Sequence, residues 1–352
     1  MKRNFALSAV LALAASAGLA HAQLGTGGGT QVGSALTLTT NNAQQQIEVV
    51  IGPLPGDVQV TGVDNAGSYT GVGSISLTTG SGLDVIVFRI LTNQVPDITV
   101  ATGGNDSDVS FLYEIDFTAE IAGSNVTVTG GSGNDKVSFQ ASSLAAGVAA
   151  RWNVNHFGGN NETKVEFNAT GASEFLDLNL NTINGGGQDL LSVAVVSAAL
   201  DNRFRLTGTM GGNNDTAFFN FDGISPSALS LNYLFDMGAG NDVAEVTNVT
   251  RGGIANVTGA VAGGNGLDSI KFLLEGSGTS NLSLQGGAGA DTVEVDYKGT
   301  IDGSPFLIGN GGNDVLKLVV TDGPQISTPT LDGGPGIDTG IGFGTFISIE
   351  QF

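Results

Sequence analysis

The chain has 352 residues, with 33 acidic against 12 basic side chains, a formal net charge of −21 and no cysteine. So acidic a surface argues against nucleic acid and anionic lipid as partners, and the missing thiols exclude disulfides, thiolate metal sites and a lipoprotein cysteine. Glycine supplies 56 residues, but a hydrophobic content of 40% is too high for a disordered low-complexity chain, so a packed core is expected.

Residues 1–22 read as a secretory signal peptide. Lys2 and Arg3 form the charged start, Phe5 to Leu19 the apolar run and Ala20-His21-Ala22 the cleavage site. Removing Lys2 and Arg3 leaves 33 acids facing 10 bases, a net charge of −23. No later stretch reaches 18 apolar residues, so no membrane span is expected in the mature chain. The expected destination is secretion or the cell surface, with the periplasm as the alternative. His156 is then the single histidine, which leaves no multi-histidine zinc site.

Residues 23–78 contain strand-like LTLTT, QIEVVI, DVQV and SISL, and are expected to form an N-terminal cap and the first rungs. From 79 to 342 a Gly-rich turn, an acid and an alternating apolar strand recur together. The clearest copies are GGSGNDKVSF from 130, GAGNDVAEV from 238, GGNGLDSIKF from 263, GGAGADTVEV from 286 and GNGGNDVLKL from 309. The marker positions 84, 108, 135, 163, 189, 215, 242, 268, 291, 314 and 338 have a mean spacing of about 25 residues. Two of them are degenerate: Thr163 stands beside Glu162, and the rung near 108 leaves a choice between Asp106 and Asp108.

The second and fourth residues after each acid are usually apolar, as in Ile86 and Phe88, Val137 and Phe139, and Ile270 and Phe272, which places them on one strand face. A second alternating segment precedes the next turn, as in Leu178-Asn179-Leu180 and Phe204-Arg205-Leu206. No convincing helical period separates the strands, so parallel pairing must come from coiling the chain on itself. The expectation is an all-β parallel β-helix, or β-solenoid, of about 11 rungs plus end caps; the crossover rule favours a right-handed coil. At about 4.8 Å per rung the rod would be about 50 Å long. The 18 Phe are expected to form core ladders. Residues 343–352, GTFISIEQF with its preceding Phe, are expected to cap the last rung, where Gly340 and Gly342 replace the apolar pair.

The turns suggest an ion site. Glycine permits positive φ and close backbone approach, so carbonyl oxygens can gather beside the acid, and all-oxygen shells suit hard cations such as calcium. Equivalent acids about 4.8 Å apart would repel by about 3.5 kcal/mol at an effective dielectric of 20. Such a row calls for cations, protonation or splaying. The alternative is that each Asp caps its turn by accepting backbone N–H bonds, without a metal.

These turns resemble the Gly-Gly-x-Gly-x-Asp-x-U-x motif of the repeats-in-toxin family, where U is apolar. The resemblance implies calcium held between neighbouring turns. Its acidic ligands would be Asp135, Asp242, Asp268, Asp291, Asp314 and Asp338, followed by Asp84, Asp189 and Asp215. Gly131, Gly133, Gly240, Gly264, Gly266, Gly287, Gly289, Gly334 and Gly336 occupy the matching turn positions. That family repeats the motif every nine residues, whereas here it occurs once per rung, so one edge alone is expected to bind ions, with a gap at Thr163.

The expected function is a calcium-binding exported rod with a structural, adhesion or extracellular-matrix role, partnered by polysaccharide or by its own copies. The alternative is a polysaccharide-active β-helix enzyme. Its best candidate stretch is Arg151-Trp152-Asn153-Val154-Asn155-His156, an aromatic beside a base. The competing reading is that Trp152 is packed and His156 solvated on an ordinary rung.

Overall fold

A computed structural model describes residues 28–64, 66–114, 121–142, 148–170, 175–224, 228–321 and 328–351. The expected signal peptide lies outside the described residues. Among the described residues every regular element is a β-strand, and no helix is long and apolar enough to cross a membrane.

The chain coils into a parallel β-solenoid with two faces. The first face stacks Gln45–Ile51, Asp84–Ile90, Ser107–Tyr113, Lys136–Ser142, Glu162–Ala169, Leu190–Ser197 and Thr216–Gly223. It continues through the openings of Val243–Asn265, Ser269–Ala288 and Thr292–Gly303 to Val315–Thr321 and Thr339–Ile341. The second face stacks Ala35–Thr39, Ser74–Thr78, Asp97–Ala101, Ile121–Thr129, Val148–Asn155, Phe175–Ile183, Asp201–Thr209 and Ala228–Asp236. Its later members include the far halves of the long strands, then Phe306–Gly311, Thr330–Asp332 and Thr345–Ile347. The repeat thus resolves into two strands per rung.

Alternation in sequence becomes alternation in burial. Along Asp84–Ile90, residues Asp84, Ile86, Phe88 and Ile90 are buried and the residues between them half-buried. Like residues stack on like: Phe88, Phe111 and Phe139 form a column with ring centroids 4.9 Å apart and nearly parallel planes. That spacing is the strand spacing, so aromatic stacking and backbone pairing reinforce each other. Trp152, from the opposite face, closes on Phe139 at 4.2 Å and donates its indole N–H to Tyr113. Nine Phe lie in the core with Trp152, whereas Phe157, Phe218, Phe306 and Phe343 are exposed, so the expected Phe ladder holds for only part of the set. Each fully buried Leu, Ile or Phe in such a column contributes about 1.5–3 kcal/mol.

At the N-terminal end the parallel pattern stops. Gly28–Val32 pairs antiparallel with Ala35–Thr39, and Val58–Thr61 folds antiparallel between Gln45–Ile51 and Gly67–Tyr69. These hairpins occupy strand edges that would otherwise be open to another chain. At the C-terminal end the space beside Gly340, where a side chain would sit in other rungs, is taken by the Phe346 ring and by Ile349. Gly340 interrupts the apolar pattern because the tail supplies the missing core, whereas Gly342 is exposed and lies against Leu318 of the preceding rung.

Candidate functional site

The Gly-Asp turns lie along one edge, between a second-face strand and the next first-face strand. Their stacking is governed by backbone proximity. A Cβ on Gly289 or Gly312 would collide with the carbonyl oxygen of Gly266 or Gly289 one rung before, and both have φ of 141°, where only glycine is comfortable. The other turn glycines singled out above sit in the same way over the preceding rung. Neighbouring turns are also hydrogen-bonded: Gly240 N–H donates to Asn265 O at 2.8 Å, Gly266 N–H to Ala288 O at 2.7 Å and Gly289 N–H to Gly311 O at 2.7 Å. The turns therefore pack against one another directly.

The acid that ends each turn points inward. Asp84, Asp135, Asp189, Asp215, Asp242, Asp268, Asp291, Asp314 and Asp338 are all buried, with at most 3% exposure. From Asp189 onward they form a continuous ladder. The backbone N–H of Asp189 donates to Asp215 Oδ1 at 2.7 Å, and that of Asp215 to Asp242 Oδ1 at 2.7 Å. The same 2.8 Å bond links Asp242 to Asp268, Asp268 to Asp291, Asp291 to Asp314 and Asp314 to Asp338. The last rung closes on the tail, where Asp338 N–H donates to Glu350 Oε2 at 2.9 Å. Each carboxylate thus caps the turn of the previous rung rather than its own.

Strand register corrects two sequence assignments. Lys136 pairs with Asp108 and with Glu162, so the rung positions equivalent to Asp135 are Ser107 and Asn161, not Asp106 or Asp108 and not Thr163. Asn161 keeps the ladder unbroken: its amide oxygen accepts from Asp135 N–H, and its own N–H and Nδ2 donate to Asp189 Oδ1. Thr163 lies in the core, where Val137 and Leu191 stand in the adjacent rungs.

In the seven aspartates from Asp189 onward, Oδ1 serves the ladder, and Oδ2 of all nine is buried without a hydrogen-bond partner. In five rungs Oδ2 crowds the glycine five residues earlier: Gly130 for Asp135, Gly263 for Asp268, Gly286 for Asp291, Gly309 for Asp314 and Gly333 for Asp338. A Cβ at any of these glycines would strike the carboxylate. Carbonyl oxygens of the following rung converge on the same slots, Gly286 O at Gly263, Gly333 O at Gly309 and Ser348 O at Gly333. The slot thus gathers a carboxylate oxygen and a carbonyl oxygen, the donor types a hard cation takes.

Burial dominates the titration of the eight carboxyls from Asp84 to Asp314. It pushes the carboxyls of Asp135, Asp268 and Asp314 up to about 6 and that of Asp215 up to about 7. Asp84, Asp189, Asp242 and Asp291 are also raised, again by burial first, with backbone N–H bonds pulling them partly back. Repulsion from neighbours adds to burial, as from Asp189 and Asp242 on Asp215.

His156 stands where five other rungs place the slot glycine and where the Asp84, Asp189, Asp215 and Asp242 rungs place Thr79, Asn184, Met210 and Met237, and it is buried rather than solvated. Its Nε2 lies 3.1 Å from Thr163 Oγ1, and its Nδ1 faces the Gly130 slot beside Asp135 Oδ2. Burial pushes the imidazole down to about 4, so it is neutral at pH 7. Trp152 and His156 therefore both point inward, and of the Arg151–His156 stretch it is Arg151, Asn153 and Asn155 that face out. No family model matches the chain, and neither does any curated protein or solved structure.

Proposed function

We propose that the protein is an exported structural β-solenoid whose inner aspartate ladder takes up calcium. The carrying observation is the file of buried Oδ2 atoms without hydrogen-bond partners, three of which, in Asp268, Asp314 and Asp338, meet next-rung carbonyls at glycine slots. A carboxylate row at strand spacing must be neutralised, and protonation or bound cations are the two ways to do it. At the pH of most extracellular fluids, carboxyls near 6 or 7 are largely ionised, which favours cations. The donor set, all oxygen and partly backbone, suits calcium better than a transition metal, and the resemblance to repeats-in-toxin turns points the same way. In this reading calcium binds on the inner side of the turns.

A long, two-faced rod with capped ends suits scaffolding or adhesion. The enzymatic alternative draws little support from its best stretch, since His156 lies in the core and offers no solvent-facing base. Element analysis after equilibrium dialysis of the metal-stripped protein against calcium tests the proposal. Several calcium ions per chain, lost when Asp268, Asp291 and Asp314 are together replaced by Asn, are expected. Less than one calcium per chain at millimolar free ion would overturn it.

A further inference from the structure

The outward side of the second face carries an unusual distribution of charge. In most of the described chain the cations have acidic neighbours. Arg89 pairs with Glu48 and Glu114, Lys136 with Glu162, Lys164 with Glu166, Arg251 with Asp222, Lys298 with Asp296 and Lys317 with Glu294. Lys271 stands in register between Glu245 and Glu294. Arg151 and Arg205 break this rule. Neither has an ion pair among the described residues, and each is exposed.

Register explains their isolation. One outward column runs Asn125, Arg151, Asn179, Arg205, Asn232, so both guanidinium groups are flanked only by amides. Two rungs separate them, about 10 Å at the strand spacing. Arg203 stands in the next column, two residues before Arg205 in the same strand. It is held by Asp201 at 2.5 Å and also feels Asp177, its register partner, so these two acids offset two of the three arginine charges and leave the patch one positive charge in excess. Ala149, the small member of that column, leaves room beside Arg151. Apart from Asp201, these residues line a shallow depression of about 480 Å³ on this face.

We infer that this face binds a carboxylate-bearing polysaccharide strand. Two unpaired guanidinium groups in one line offer bidentate contacts to carboxylates. The amides between them, and the neighbouring column of Thr127, Asn153, Asn181 and Thr207, donate to and accept from sugar hydroxyls. A ligand with sparse charge and many hydroxyls matches both features. A denser polyanion such as a nucleic acid duplex would be repelled by the surrounding net charge of −21. The inference stands independently of the calcium ladder, which lies inside the coil.

The test is retention of the full-length secreted protein in gels containing polygalacturonate, with chelator present so that calcium plays no part. Polygalacturonate is expected to retard the protein, while its fully methyl-esterified form and a DNA duplex do not. The double variant Arg151→Gln, Arg205→Gln should bind at least tenfold more weakly with an unchanged melting temperature, and Arg151→Lys, Arg205→Lys should keep most of the binding. No retardation by polygalacturonate, equal retardation of the Gln variant, or stronger retention by DNA would each overturn the inference. A melting temperature unmoved by calcium would instead count against the ladder proposal alone.

Discussion

The rungs from Asp268 to Asp338 and the rung built on Asn161 solve the same packing problem differently. In the C-terminal rungs the residue five before the acid is glycine, and the carboxylate occupies the space beside it. In the Asn161 rung that residue is His156, the acid is an amide, and the first core position after it is Thr163. The three changes belong together. The imidazole fills the slot, Thr163 meets its Nε2, and Asn161 serves the ladder while also donating through Nδ2 to Gly158 O and Gly159 O at 3.1 Å. One rung has exchanged a charged interior for a neutral hydrogen-bonded one. The comparison shows that a turn does not need its carboxylate charge to stack, since an amide oxygen serves the ladder as well. The charge retained in nine other rungs therefore asks for a reason beyond folding, and cation uptake supplies one.

Backbone contact should produce the largest effects. Within one C-terminal turn, Gly311→Ala enters open space, whereas Gly312→Ala places a Cβ against Gly289 O at a φ of 141°. Urea unfolding should show Gly312→Ala losing about 4 kcal/mol or more, with Gly311→Ala within about 0.5 kcal/mol of the parent. Similar losses for both would mean that turn stacking is not what requires glycine.

The ladder itself comes next. Asp291→Ala leaves the buried Asp268 N–H without its acceptor and should cost about 1–3 kcal/mol with or without calcium. Asp291→Asn imitates the Asn161 rung, keeps the acceptor and removes a like charge. It should be neutral or stabilising in chelator and destabilising relative to the parent in calcium. If Asn and Ala behaved alike, the acceptor role of Oδ1 would be refuted. Conversely, Asn161→Asp should cost about 1–2 kcal/mol in chelator, since it puts a charge between Asp135 and Asp189 and removes the Nδ2 bonds.

Acidity should act more gently and in a defined direction. The carboxyls of Asp135, Asp215, Asp268 and Asp314 are raised in the folded chain to about 6 or 7 from 3.8, so the native state binds more protons than the unfolded state in between. In chelator, stability should therefore rise as pH falls from about 7.5 to about 5. His156, lowered to about 4 from 6.5, works the other way over about pH 6.5 to 4, but it is one group against several. His156→Gln should steepen the gain on acidification as read by melting temperature. A melting temperature that fell steadily from pH 7.5 to 5 in chelator would contradict the burial of the row.

The coil was legible because its period is carried by many independent copies. The alternating pairs after Asp84, Asp135 and Asp268 put apolar residues into the core wherever they occur. The site was legible in part. Acids mark the rungs well where they are present, but at Ser107 and Asn161 the acid is missing, and nearby Asp106, Asp108 and Glu162 drew the assignment away. The apolar partners Val109 and Phe111 carried the correct register for Ser107, two and four residues later. For Asn161 no such signal existed, because Thr163 replaces the first apolar partner in response to His156. Nor could spacing reveal that the carboxylates turn inward, since that depends on which side of the turn the glycine slots open. The arginine column was hidden for a similar reason: Arg151 and Arg205 are distant in sequence and meet only through two steps of strand register.

The central claim is that the inner aspartate ladder is completed by calcium, and thermal unfolding at pH 7.5 in matched calcium and chelator tests it most directly. One occupied site contributes about 2.7 kcal/mol when free calcium is a hundredfold above its dissociation constant, and several sites in one cooperative rod add to this. A rise in melting temperature of well over 10 °C in calcium is therefore expected, shrinking at pH 5 as protons take the place of the ion. Coincident melting curves in calcium and chelator at pH 7.5 would contradict the account.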